Sequence, residues 1–247
     1  MKKLWRDRLP DIEREKVLAL SREVIEQDEG AEAIAYLKSD KRRFTDDQIE
    51  IIKDRFHIGY MPDHVMNLNG VNHEFSGRMV LPIYDQYDNL VALSSRDWRD
   101  GAKRKFFHES FPKSNILYGL NVAKEHILKK KKAIVVEGEF DVQYLSASGF
   151  RFTVGVMSST LKMSHIAMLS RYCREIFLVF DGDMAGEKAA AKVVKMAKER
   201  RFDIFQIDII PVIMPDKKDP DVFVNENGSQ AFIELLRKCR ENTKELI

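Results

Sequence analysis

The second half of the chain alternates short apolar runs with helix-like segments, and this alternation limits its possible folds more than any other feature. The pattern predicts strands at 133–136, 152–156, 176–180 and 205–213, and helices at 140–148, 162–172 and 184–200. Apolar runs of this length are typical of buried strands in a parallel sheet. Strand–helix alternation is typical of right-handed βαβ units. We therefore expect an α/β domain with a mostly parallel sheet.

Acidic residues follow three of these predicted strands. They form three clusters, Glu137 with Asp141, Asp181 with Asp183, and Asp219 with Asp221. Ligands of open α/β sheets bind outside the carboxyl ends of the strands, so the clusters should converge at one edge. Six carboxylates in one region would repel each other unless a hard divalent cation neutralised them. The pattern therefore predicts a magnesium site, which usually serves phosphate chemistry.

Each cluster alone is open to an ordinary structural interpretation. Asp141 has the position of an acid that favours a helix N-terminus. Asp219-Pro220-Asp221 alone is more typical of an acidic turn than of a metal site. The three clusters together, in this order and spacing, favour a single functional site.

Composition limits the other classes of protein. The chain has 247 residues, 44% of them apolar, which allows one large or two modest domains with a real core. It contains no apolar stretch long enough to span a bilayer and no secretory signal, so we expect a cytoplasmic protein without membrane partners. Two cysteines cannot form a four-thiolate zinc site. The formal net charge of +2 hides a basic stretch, 96–132, with eleven Lys and Arg against four Asp and Glu, which is typical of a surface that holds a polyanion.

The first half has a mixed α and β pattern. Apolar periodicity predicts helices within 1–40 and a further helix that begins at Thr45. The runs 78–84 and 90–95, joined by the short turn 85–89, predict a β-hairpin. A short strand is expected at 105–107, and helices at 120–130 and 229–246.

Several motifs resemble a known family. EGEFD, DGDMAG and PDKKDPD resemble the motifs of a Toprim domain, which primases, topoisomerases and some nucleases share. Upstream, DRFHIGYMPD, SGRMVLPIYDQYDNLVALSSR, RKFFHES and FPKSNILYGL resemble motifs of bacterial and phage-type (DnaG-like) DNA primases. The resemblance covers residues 30–225, and the upstream motifs are specific to primases.

The resemblance implies an α+β N-terminal subdomain, then a Rossmann-like α/β Toprim domain, then a short helical tail. The corresponding boundaries are 1–117, 118–221 and 222–247. It implies a DNA primase catalytic core, a DNA-directed RNA polymerase that synthesises short RNA primers by metal-dependent nucleotidyl transfer. The implied partners are a single-stranded DNA template and ribonucleoside triphosphates, with a replicative helicase or a separate zinc-domain protein as further candidates.

The resemblance also assigns roles to residues. Glu137, Asp181 and Asp183 match catalytic positions. The metal ligands, for Mg²⁺ or Mn²⁺, would be Glu137, Asp141, Asp181, Asp183, Asp219 and Asp221. Positions that hold template or nucleotide phosphates match Arg55, Arg96, Lys105 and Lys113, although surface salt bridges are an alternative for Arg55 and Arg96.

One departure from the family limits these expectations. DnaG-like primases carry an N-terminal zinc ribbon, and the first 40 residues here contain no cysteine, so we expect no zinc and template recognition by another polypeptide. A Toprim nuclease is the alternative enzyme, although it would not need the upstream motifs, and a topoisomerase would need a nucleophilic tyrosine in a further domain. A non-catalytic nucleic-acid-binding subunit is the alternative from another class.

Overall fold

The chain divides into a first unit, residues 1–112, and a second unit, residues 113–247. The structure, a computed structural model, describes residues 9–63, 74–158, 161–181, 184–199 and 203–246. The start of the predicted helical segment, 1–8, the end of the predicted helix 184–200 and the predicted ligand Asp183 lie outside this range. The boundaries expected at 117/118 and 221/222 stay a prediction.

The first unit combines helices with an antiparallel sheet of strand order β1-β2-β3-β4. Its elements are α1 (Asp11–Val24), α2 (Ala31–Lys38), α3 (Asp46–Phe56), β1 (Gly59–Met61), β2 (Arg78–Tyr84), β3 (Leu90–Arg96) and β4 (Phe106–His108). The predicted hairpin is confirmed as β2 and β3, and Asp85 Oδ1 shapes its turn by accepting from the Asn89 N–H at 3.0 Å. The predicted start of α3 is also confirmed, because the Thr45 hydroxyl accepts from the Gln48 N–H.

The second unit contains the predicted parallel sheet, with strand order β6-β5-β7-β8. Its elements are α4 (Leu120–Lys130), β5 (Lys132–Val136), α5 (Glu139–Ala147), β6 (Thr153–Gly155), α6 (Met163–Leu169), β7 (Glu175–Phe180), α7 (Met184–Lys198), β8 (Asp208–Ile213) and α8 (Pro220–Leu246). Alternate strand residues such as Val135 and Leu178 pack with α4, α6 and α7 in one core cluster. Helices α5 and α8 contact each other, and α8 also contacts β7 and β8. The fold class predicted from the sequence is therefore confirmed.

Several element boundaries differ from the prediction, such as the end of α6 at Leu169 rather than at 172, and the starts of the last strand and the last helix have a clear physical reason. The last strand begins at Asp208 rather than at 205, because 203–205 forms a 3₁₀ turn and Gln206 has a left-handed φ of 50° that a strand does not accept. The last helix begins at Pro220 rather than at 229, and Gly228, with φ 81°, breaks it. Proline favours the first helical position because it has no N–H to leave unsatisfied.

None of the helices in the described ranges combines the length and the apolar character needed to cross a membrane.

Candidate metal and phosphate site

The carboxyl edge of the parallel sheet carries two of the predicted acidic residues on neighbouring strands. In the register of β5 with β7, Val135 lies opposite Leu178. Glu137 directly follows β5, and Asp181 directly follows β7. Neighbouring strands lie about 4.8 Å apart, so the two backbone positions are close. Parallel topology therefore brings Glu137 and Asp181 to the same edge of the sheet, as expected.

Asp141 has a partner within its own helix. Its Oδ2 accepts from the Gly138 N–H at 3.2 Å, which satisfies one of the free donors at the start of α5. Gly138 has a negative φ of −101°, so this glycine is not required for a left-handed turn. A Cβ at Gly138 would instead lie 2.8 Å from Asp141 Oδ2. The glycine therefore allows the carboxylate to approach, and Asp141 acts as a helix cap here.

The third cluster belongs to the beginning of α8, which follows β8. Asp219 is exposed, and its carbonyl accepts from the Phe223 N–H at 3.0 Å. Asp221 is buried in the first helical turn, and its Oδ1 accepts from the Val222 N–H at 2.7 Å. These positions are those of acids that favour a helix N-terminus.

The donor set of the edge suits a hard cation, because Glu137 and Asp181 supply oxygen ligands from adjacent strands. In the described part of the chain, no group of three or more His, Cys, Asp or Glu residues could hold a metal ion. The predicted ligand Asp183 falls outside that part. The six-carboxylate metal site therefore stays a prediction.

Lys113 is the predicted basic residue of the second unit, and its side chain reaches this edge. Its Nζ donates to the Met157 carbonyl at 3.1 Å, and the Met157 N–H donates to the Glu137 carbonyl at 2.9 Å. Burial lowers the pKa of Lys113, and the nearby charge of Glu139 opposes this change. The backbone of Met157 therefore links the Lys113 ammonium to Glu137, the first predicted metal ligand.

The other predicted basic residues belong to the first unit. The guanidinium of Arg96 lies 4.6 Å from the centre of the Phe106 ring, which pairs it across β3 and β4. Lys105 directly precedes β4, and its carbonyl accepts from the Asp97 N–H at 2.9 Å. Arg55 lies in the last turn of α3. Cation–π stacking of Arg96 leaves an ordered positive charge beside an aromatic face.

Several residues that organise these regions were not predicted from the sequence. Arg78 is buried, and its guanidinium donates to Ser95 Oγ at 2.9 Å and to the Arg104 carbonyl at 2.7 Å, which fixes the loop before β4. Its signal was a charge at the start of an apolar strand. Glu139, buried in α5, and His165, fully buried in α6, were also not predicted, and the contact of His165 with the Lys113 carbonyl joins residues 52 positions apart.

Two family models match the sequence. Residues 65–124 match the N-terminal domain of the DNA primase catalytic core, and residues 131–208 match the Toprim domain. The DNA primase of Chlamydia pneumoniae is 29% identical over 238 residues, which cover 86% of this chain and 38% of that protein. The chain therefore spans well under half the length of the curated relatives that it matches.

Solved structures with the same fold include the Escherichia coli primase catalytic core. It has a TM-score of 0.78 at 23% identity, covering 92% of this chain and 79% of that one. A DnaG primase catalytic domain bound to single-stranded DNA has a TM-score of 0.77 at 24% identity, covering 92% and 80%. The chain therefore contains a region that matches the N-terminal domain of the DNA primase catalytic core and a region that matches the Toprim domain, it is similar in sequence to DNA primases, and it shares the fold of the solved DnaG catalytic cores.

Proposed function

We propose that this chain is a primase catalytic core that synthesises short RNA primers on single-stranded DNA by metal-dependent nucleotidyl transfer. The observation that carries the proposal is the placement of Glu137 and Asp181 after adjacent parallel strands, within a region that matches the Toprim domain. The match of 65–124 to the primase-specific domain favours this activity over that of other Toprim enzymes.

The metal in this proposal is Mg²⁺, with Mn²⁺ as a substitute. Asp181 and Asp183 would be the central ligands, and Glu137 a further ligand or the general acid and base. The remaining proposed ligands are Asp141, Asp219 and Asp221. When bound, magnesium would neutralise charge on the triphosphate as a 3′-hydroxyl attacks it. Hard oxygen ligands from separate strand ends agree with this ion.

The polyanionic substrates are assigned to four basic residues. Lys113 would hold nucleotide or template phosphates beside the carboxyl edge, and Arg55, Arg96 and Lys105 would hold phosphates at the first unit. Charged side chains next to aromatic faces are typical of single-strand binding, and the stacking of Arg96 on Phe106 fits this pattern. A related catalytic domain has been solved with single-stranded DNA. A helicase or a zinc-domain protein as a further partner belongs to the proposal as well.

The test is a primer-synthesis assay with single-stranded DNA, four ribonucleotides and Mg²⁺ or Mn²⁺. We expect short RNA products that EDTA abolishes. Asp181→Asn should lower the rate by about 10²–10³-fold, because it removes a charged ligand worth several kcal/mol of transition-state stabilisation. Asp208→Asn is the matched control, since Asp208 is exposed and begins β8 at the opposite edge of the same sheet.

Three results would contradict the proposal. Unchanged synthesis by Asp181→Asn would remove the metal assignment. Metal-dependent DNA cleavage without ribonucleotides would indicate a Toprim nuclease. DNA binding without synthesis, even with a zinc-domain protein and a helicase supplied, would indicate a non-catalytic subunit.

A further inference from the structure

Helix α6 holds the backbone of the segment that carries Lys113. Residues Lys113–Asn115 form a 3₁₀ turn. The His165 ring contacts the Lys113 carbonyl through Nε2 at 2.8 Å, and Ser164 Oγ donates to the Ser114 carbonyl at 2.5 Å. Two consecutive residues of α6 therefore bind two consecutive carbonyls of the turn.

The two nitrogens of His165 have different partners, and these determine its tautomer. Nδ1 accepts from the Lys162 N–H at 3.3 Å, so Nδ1 carries no proton. Nε2 must then carry the proton of the neutral ring and donate it to the Lys113 carbonyl. Burial lowers the pKa of His165, and the charge of Lys162 acts in the same direction, while the bond to Lys113 opposes both. The neutral ring thus bridges the start of α6 and the Lys113 backbone.

The other end of Lys113 reaches the carboxyl edge. Its ammonium donates to the Met157 carbonyl at 3.1 Å, and Met157, in a left-handed conformation with φ 52°, bonds the carbonyl of Glu137. A lysine side chain has four rotatable bonds, so its ammonium occupies one place only when its backbone and its head group are both held. His165 holds the backbone, and Met157 accepts from the head group.

We propose that His165 is a positioning residue that fixes the Lys113 ammonium at the carboxyl edge, where it would meet the phosphates of a nucleoside triphosphate or of the template strand. The role of the ammonium rests on the proposed function above. The placement of the ammonium by His165 does not, because it follows from contacts within the second unit alone.

Two substitutions separate positioning from simple helix capping. The amide nitrogen of His165→Gln can occupy the place of Nε2 and donate to the Lys113 carbonyl. The shorter His165→Asn can accept from the Lys162 N–H but cannot reach that carbonyl. A capping role predicts that Gln and Asn both replace His, because either amide oxygen can accept from the Lys162 N–H, whereas a positioning role predicts that only Gln does.

The first measurement does not depend on activity. In protein with ¹⁵N-labelled lysine, the Lys113 ammonium should give a resonance whose hydrogen exchange with water is slowed, because the group is hydrogen-bonded and partly buried. We expect this slowed exchange to persist in His165→Gln and to be lost in His165→Asn. Lys129, which is exposed, is the unprotected reference. Slowed exchange that persists in His165→Asn would overturn the proposal, whether or not the protein makes primers.

The second measurement is a double-mutant cycle on the KM for ribonucleotides. His165→Asn should raise KM about tenfold, as should Lys113→Met, with a smaller change in kcat. If His165 acts through Lys113, the double variant should be no worse than Lys113→Met alone. If the increases in KM of the two single variants multiply in the double variant, His165 has a structural role independent of Lys113, and the proposal is overturned. Cys173→Ser, which perturbs a buried residue just after α6, controls for lost stability and should leave KM unchanged.

The two measurements also separate this proposal from the proposed function. If the wild-type chain makes no primers while Lys113 loses its slowed exchange in His165→Asn only, the function fails and the positioning holds. If primers are made and both variants keep slowed exchange and normal KM, the function holds and the positioning fails.

Discussion

A buried ion pair anchors the first helix to the antiparallel sheet, and its removal should destabilise the first unit strongly. Arg14 and Glu109 are both fully or nearly fully buried, and Arg14 Nε donates to Glu109 Oε2 at 2.9 Å. The same carboxylate accepts from the Leu9 N–H at 2.5 Å and from the Leu93 N–H at 2.6 Å. Burial acts to lower the pKa of Arg14, but the bonds and charges of Glu109 and Asp11 outweigh it and raise that pKa.

The expected cost follows from what each substitution leaves behind. Glu109→Gln keeps the shape but leaves the Arg14 guanidinium without its buried counter-charge, since its other carboxylate partner, Asp11, is exposed. Such an unpaired buried charge costs about 3–5 kcal/mol of unfolding free energy. Arg14→Met should cost a similar amount, because the carboxylate then keeps only its backbone donors. The double variant leaves no buried charge, but its single amide oxygen can accept from only one of the Leu9 and Leu93 N–H groups, so we expect a loss of about 1–3 kcal/mol.

Denaturant unfolding followed by tryptophan fluorescence measures this unit selectively. Both tryptophans of the chain, Trp5 and Trp98, belong to residues 1–112. Glu74→Gln is the matched control, because Glu74 pairs with the exposed Arg104 at 3.4 Å in the same unit. An exposed pair of this kind contributes about 0–1 kcal/mol.

The reasoning would be refuted in either of two ways. Glu109→Gln could cost no more than Glu74→Gln, which would mean that burial does not strengthen the pair. The double variant could instead lose the sum of the two single losses, which would mean that the two charges are not coupled.

Three further predictions concern stability and titration. Thr45→Ala should cost about 1 kcal/mol in chemical denaturation, because it removes the cap of α3, whereas Thr45→Ser should cost far less. Burial, with the charge and hydrogen bond of Glu32, raises the pKa of Tyr60 to about 12. Because Tyr60 ionises at a lower pH in the unfolded chain, the free energy of unfolding should fall between about pH 10 and 12. Tyr60→Phe should reduce that fall in alkaline unfolding curves. His165 has a lowered pKa, so its contribution is complete above about pH 6.5 and is lost as the pH falls toward the folded value. The melting temperature of His165→Gln should therefore decline less on acidification than that of the wild type.

The sequence predicted the fold well wherever local pattern determines structure. The helix at 120–130 and the hairpin strands are observed essentially as predicted, because apolar periodicity and turn residues act over a few positions. The starts of the last strand and the last helix depend on single backbone conformations. A left-handed Gln206 delays the start of β8, and Pro220 begins α8 before the start predicted at 229. Neither conformation changes the apolar pattern from which the elements were predicted.

The candidate site was predictable in part, for a related reason. In a parallel sheet, chain direction alone brings every strand end to the same edge, so Glu137 and Asp181 reach their positions without help from particular side-chain contacts. A helix start was one of the interpretations that the sequence left open for Asp141, but the hydrogen bonds of Asp141 with Gly138 and of Asp221 with Val222 were not predictable. Such bonds depend on the orientation of individual side chains, which periodicity does not describe.

The same distinction explains why a lysine at this edge requires an anchor when a glutamate does not. Glu137 extends from the end of a strand whose backbone is fixed by its neighbours on both sides. Lys113 lies in a short turn outside the sheet and spans its distance to the edge with a flexible side chain. Its placement therefore needs a partner from another element, and His165, 52 residues away, supplies a contact that no local pattern could reveal. Substitutions near Glu137 should therefore leave its position unchanged, because the sheet topology sets it. Loss of the hydrogen bond from His165 should instead release the Lys113 ammonium from the edge.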